Sequence, residues 1–161
     1  MAGKVRRWTE CQFTRWYCKC LKRVGAVILP IVGSAYGGAG WPDRYISHRD
    51  FKGFVEFKQG EAHLQTSQRV AIKKLLLTGE IVFVGRIANT NMFTLQKMNG
   101  VYVSTIDVRP LIGDDAKAGR AFLAQLLEAK KIVLETGIAT GNTGGNRADA
   151  VCDLARGEEW I

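Results

Sequence analysis

The chain has 161 residues, 47% hydrophobic and 24% charged, which bounds it to one domain with a proper apolar core and excludes a disordered chain. Its formal charge of +8 at pH 7 suits a polyanionic partner, although surface solvation alone accounts for such a balance equally well. No apolar run approaches the length of a membrane span, and no apolar stretch follows the first basic residues as in a secretory signal.

The charge is uneven along the chain. From Met1 to Gly25 there are seven basic residues (Lys4, Arg6, Arg7, Arg15, Lys19, Lys22 and Arg23) against Glu10. After Leu134 the balance reverses, with Glu135, Asp149, Asp153, Glu158 and Glu159 against Arg147 and Arg156. A basic front and an acidic tail fit a nucleic-acid face in the first half. Cys11, Cys18 and Cys20 lie in one helical segment and Cys152 is remote, which matches neither a disulfide framework nor a zinc site. Reduced thiols in a cytoplasmic protein are expected.

The first element is a helix from about Thr9 to Val24. Thr9 and Gln12 have the spacing of a capping box. Phe13, Tyr17, Cys20, Leu21 and Val24 share one face, and Arg15, Lys19, Lys22 and Arg23 the other. Glu10 falls among the apolar positions. It reads either as a carboxylate at the positive end of the helix dipole or as an acid directed at a cation site.

An apolar strand over Ala26–Val32 follows, with Pro30 pointing to an edge position. Gly33–Gly40 is glycine-rich but lacks the Gly-Lys-Ser/Thr ending of a phosphate loop. Asp43–Ser47 and Phe54–Lys58 are two strands joined by a polar turn over His48–Gly53. Alternation places Phe54, Glu56 and Lys58 on one face and Val55 and Phe57 on the other.

A helix over Thr66–Thr78 directs Gln68, Ile72, Leu75 and Leu76 inward. Ile81–Ile87 is a buried strand reached by a crossover. Phe93–Lys97 and Val101–Ile106 form a hairpin around Asn99-Gly100. Asp114 or Asp115 caps a last helix that runs to about Leu134. Gly141–Asn146 reads as a linker before an acidic end.

Asp43, at the start of one strand, and Glu56, on its neighbour, are placed to converge on one hard cation, with the backbone carbonyl of Phe57 as a third oxygen. Mg²⁺ or Mn²⁺ is suited to such a set, since Mg²⁺ keeps several waters and needs only one or two carboxylates. Lys58 shares the face of Glu56 and is placed to orient a water and offset phosphate charge. A surface Asp beside a cross-strand Glu–Lys pair is the blander reading of the same residues.

The stretch Gly40-Trp41-Pro42-Asp43, then Val55-Glu56-Phe57-Lys58, then Leu64-Gln65-Thr66-Ser67-Gln68, resembles the VRR-NUC family of the PD-(D/E)xK nuclease superfamily. The matched part runs from Thr9 to Ile87. It departs at Gln65 and Thr66, where Ser/Thr-Pro is typical. The resemblance implies an α/β fold, restriction-endonuclease-like, with a mixed central sheet flanked by helices. It also implies divalent-metal-dependent cleavage of DNA by Asp43, Glu56, Lys58 and Gln68, with Glu10 brought to the metal from the first helix.

Members of this size look like phage and bacterial proteins, some acting as homodimers on branched DNA such as Holliday junctions. A two-fold dimer would suit a two-fold substrate. On this reading residues 1–134 are the nuclease domain, and 135–161 the linker and acidic tail.

Arg15, Lys19, Lys22, Arg23, Arg44 and Lys52 are the candidate phosphate contacts. Trp8, Trp16 and Tyr36 either stack on bases or pack in the protein. Two other readings stay open: a module of the same fold that binds nucleic acid without cutting it, and an interaction protein acting through its acidic tail.

Overall fold

A computed structural model of the chain describes residues 5–31 and 40–140, with the side chains of the last helix described to residue 135. The elements are α1 (Glu10–Arg23), β1 (Val27–Pro30), β2 (Arg44–Ser47), β3 (Lys52–Gln59), α2 (Thr66–Leu77), β4 (Val82–Ile87), β5 (Met92–Gln96), β6 (Tyr102–Asp107) and α3 (Asp115–Thr140). A short 3-10 turn, Arg109–Leu111, precedes α3.

The strands form one six-stranded sheet in the order β1-β2-β3-β4-β5-β6. All neighbours are antiparallel except β3 and β4, which run parallel because α2 carries the chain across between them. This is the α/β architecture of a mixed sheet flanked by helices that the sequence implied. Pro30 ends the edge strand β1, where its missing N–H disrupts no ladder.

The two faces are covered unequally. On one, α1 and α3 bury Phe13, Tyr17, Cys20, Leu21, Phe122 and Leu126 against Val55, Phe57, Phe83 and Phe93. Tyr17 sits at ring distances of 4.5 Å from Phe122 and 5.1 Å from Phe57. The two helices approach so closely that a Cβ on Gly119 would lie 2.1 Å from the carbonyl oxygen of Cys20. On the other face α2 is the one helix among the described residues that covers the sheet, and Ile72 and Leu75 join Phe54, Leu64, Val82 and Val84 in a smaller cluster.

Several local expectations are realised. Gln12 N donates to Thr9 Oγ1 at 3.1 Å and Thr9 N to Gln12 Oε1 at 3.2 Å, closing the capping box of α1. Asp114 caps α3, accepting from Lys117 N at 3.0 Å. Gly100 takes a φ of 82° in the β5–β6 turn.

Others are corrected. Leu76 is exposed rather than inward-facing, because it lies at the rim of the α2 stripe, where no helix among the described residues covers it. Phe51, read as part of a polar turn, is a core residue stacked on Phe83. The last helix continues past Leu134 to Thr140. Most of the glycine-rich stretch, including Tyr36, and the linker and acidic end from 141 lie outside the described residues. Cys11, Cys18 and Cys20 are free thiols. Among the described residues no helix is long and apolar enough to cross a membrane.

Candidate active site

The strand β2 pairs with β3 only as far as Arg44↔Val55, so beyond Val55 that edge of β3 has no strand partner among the described residues. Asp43 takes the vacant place. Its Oδ2 accepts from Phe57 N at 2.9 Å, while its own N–H donates to Glu56 Oε2 at 3.1 Å. In an antiparallel strand a residue directs its N–H and C=O to the same side, so the Phe57 carbonyl also points toward Asp43. The two acids and this carbonyl thus belong to one interlocked turn of backbone.

Glu56 is 1% exposed and held from two further directions. Gln68 Nε2 donates to Glu56 Oε1 at 2.6 Å, and Lys58 Nζ lies 3.2 Å from the same oxygen. Gln68 is itself fixed, its Oε1 accepting from Gln65 N at 2.9 Å at the start of α2. Gln65 stands at the N-cap of α2, where the motif departs from its usual form, and Gln68 stays in place because it closes on that backbone amide. Burial, reinforced by the Asp43 charge, pushes the Glu56 carboxyl up to about 7 against the opposing pull of Lys58.

The glycine of the Gly-x-Pro-Asp segment has a structural reason. Gly40 has a φ of +93°, and a Cβ there would meet the backbone of Ser67 at 2.2 Å and Gln68 N at 2.5 Å. Only glycine lets the approach to Asp43 lie directly on the first turn of α2. Asp43 and Gln68, far apart along the chain, thereby both reach Glu56.

Glu10 stands partly buried at the start of α1. Burial raises its pKa, the Lys58 charge opposes this, and the Asp43 charge adds to it; the backbone N–H of Gln59 donates to it. It is therefore within electrostatic reach of the site. It does not close with Asp43 and Glu56 into a three-acid group, and among the described residues no three His, Cys, Asp or Glu side chains do so.

The expected phosphate contacts divide. Arg15, Lys19, Lys22, Arg23 and Arg44 line one depression of about 490 Å³ with Cys18, Ile28 and Pro30. Arg44 lies two residues before Ile46 and so shares the face of that core residue under α1 and α3, which puts this depression on the α1 side of the sheet, opposite the face of Glu56 and Lys58. Lys19 also pairs with Asp115 at 3.1 Å. Lys52 is exposed at the far end of β3 and does not line the depression. Trp8 and Trp16 pack on each other with centroids 5.0 Å apart, Trp8 being 4% exposed. Both serve packing.

A residue absent from the sequence reading stands next to Lys58. Arg86 on β4 is its register partner across the parallel β3–β4 pair, and it shares the α2 face with Val82 and Val84. The only local signal was a cation in an otherwise apolar strand.

Neither a protein-family model nor a curated protein matches the sequence. The VRR-NUC resemblance therefore rests on the motif residues themselves. Among solved structures, the chain is similar to Hjc, a Holliday junction resolvase of Archaeoglobus fulgidus, an archaeal hyperthermophile. The two share 15% sequence identity over 68% of this chain and 98% of that chain, with a TM-score of 0.45.

Proposed function

We propose that the chain is a divalent-metal-dependent endonuclease that hydrolyses DNA phosphodiester bonds, with selectivity for branched structures as the motif resemblance implies. The observation that carries this reading is the interlocked pair Asp43–Glu56, with Lys58 at 3.2 Å and Gln68 at 2.6 Å from the same Glu56 oxygen. A structural ion pair alone would need neither the second acid nor the glutamine.

The residues fit a hard cation. Two carboxylates suffice for Mg²⁺ or Mn²⁺, and a Glu56 carboxyl pushed up to about 7 by burial and a neighbouring acid marks an environment short of positive charge. Asp43, Glu56 and the Phe57 carbonyl would hold the ion, with Glu10 adding negative charge from α1. When bound, such an ion neutralises phosphate charge and activates water.

The chain's own residues do the rest. Gln68 orients Glu56, and Phe57 N–H and Glu56 orient Asp43. Lys58, 3.2 Å from Glu56, supplies a positive charge beside the acids, from where it would face a phosphate oxygen and orient the attacking water.

The test is cleavage of labelled linear duplex, single strand, flap and four-way junction with Mg²⁺, Mn²⁺ or EDTA, alongside Asp43→Asn. Metal-dependent cutting should fall at least about a thousandfold in the variant, the scale of losing a group that acts in the transition state. Cutting by Asp43→Asn at the wild-type rate would refute the site. Tight metal-independent binding with no cutting of any substrate would favour the non-cleaving module instead.

A further inference from the structure

On the α2 face, one strand beyond Lys58, His63, Arg69, Lys73, Arg86, Gln96 and Asn99 surround a pocket of about 240 Å³, and no carboxylate among the described residues lines it. Arg86 is its fixed element. Its Nε donates to Gln96 Oε1 at 2.8 Å, and its Nη1 to the carbonyls of Gly60, at 3.1 Å, and Ala62. These acceptors are neutral, so the guanidinium is positioned without being neutralised. Among the described residues its Nη2 has no hydrogen-bond partner, and neither Arg69 nor Lys73 forms an ion pair.

A partly buried cation normally recruits an acid from its own chain, because an uncompensated charge is costly. Here three cations converge, and among the described residues no acid lines the pocket. The guanidinium fork matches phosphate geometry, and its orientation is set in advance by Gln96 and the two carbonyls. Strand register places Arg86 beside Lys58, with Cα atoms about 4.8 Å apart as in any paired strands.

We propose that this pocket binds a phosphate group of the nucleic-acid substrate, the phosphodiester next to the one being cleaved. It would set how far the strand is drawn across Asp43 and Glu56. The inference rests on the nuclease reading for the identity of the ligand. The larger basic depression under α1 lies on the opposite face, so it does not supply this contact.

The test uses the full chain in EDTA, with binding of a labelled branched DNA measured against salt. Arg69→Ala with Lys73→Ala should lower the slope of log affinity against log salt by about two, one for each cation removed from the phosphate. Arg86→Lys, which keeps the charge but not the fork, should weaken binding while leaving that slope unchanged. A scan of single neutral methylphosphonates along the cleaved strand then locates the contact. One position beside the cleaved bond should weaken wild-type binding and have a clearly smaller effect on the double variant, in which Arg86 alone is left to meet that phosphate.

Independent, additive losses at every position would overturn the proposal, as would an unchanged salt slope. If the wild-type chain binds no DNA, the nuclease reading fails and the nucleic-acid ligand with it. Inorganic phosphate is then titrated while the Arg86 Nε–H resonance is followed. A shift that is lost in the double variant would retain the anion site for a free phosphate compound, and no shift would remove the site as well.

Discussion

The two faces of the sheet divide the work of the molecule. Under α1 and α3 lies an aromatic core in which Phe13, Tyr17, Phe57, Phe93 and Phe122 touch one another and little polar chemistry intrudes. Under α2 the apolar cluster is smaller, and beside it run Glu56, Lys58 and Arg86. Strand β3 belongs to both: Val55 and Phe57 anchor it in the thick core, while Glu56 and Lys58 project from its other side. A buried carboxylate destabilises the protein that carries it. The thick face supplies the rigidity that lets the thin face hold charges in place.

Breaking the thick face should therefore cost stability first. Phe122→Ala removes a ring lying 4.5 Å from Tyr17 and 5.4 Å from Trp16, and should cost about 3–5 kcal/mol in urea unfolding. Leu75→Ala, beneath α2, should cost nearer the low end of core substitutions, about 2 kcal/mol. Cleavage per folded molecule should survive Phe122→Ala. Equal losses from the two substitutions would mean that the faces share the load evenly.

This division is partly legible in the sequence. Period-two alternation separates Glu56 and Lys58 from Val55 and Phe57, and the motif resemblance names Asp43, Glu56 and Gln68, of which the Asp43 backbone N–H and Gln68 Nε2 both donate to Glu56. Arg86 is not legible, because its place beside Lys58 is set by the register of two strands joined through a helix. The basic stripe of α1 follows from helical periodicity. Its position across the sheet from Lys58 depends on which face α1 covers, and that is decided by tertiary packing. Phe51 escapes the sequence for a similar reason: its neighbours are polar, but Phe83 lies beneath it.

A change to the thin face sharpens the contrast. Gln68→Ala removes the 2.6 Å bond to Glu56 and the acceptor for Gln65 N. Outer residues that orient metal ligands typically contribute about 10–100-fold in affinity or activity. Cleavage should fall by about that factor, and the metal concentration for half-maximal activity should rise with it. A loss of activity with no change in metal requirement would make Gln68 a helix cap alone.

The gentlest probe leaves the chain intact and varies pH. Glu56 titrates at about 7 in the folded chain against an ordinary value of 4.5, chiefly because it is buried and then because Asp43 is near. Between those values the folded chain binds more protons than the unfolded one. This contribution to stability is thus complete below about 4.5 and is lost as pH rises through about 7. Glu10 is shifted in the same direction, so the comparison that isolates Glu56 is with Glu56→Gln. In EDTA, the wild type should lose stability relative to that variant with a limiting slope of about 1.4 kcal/mol per pH unit. Saturating Mg²⁺ should flatten the dependence, because a cation that binds the ionised acids replaces the proton. Parallel pH profiles for the two proteins would show that the thin face carries no such electrostatic cost, and the contrast between the faces would then lie in packing alone.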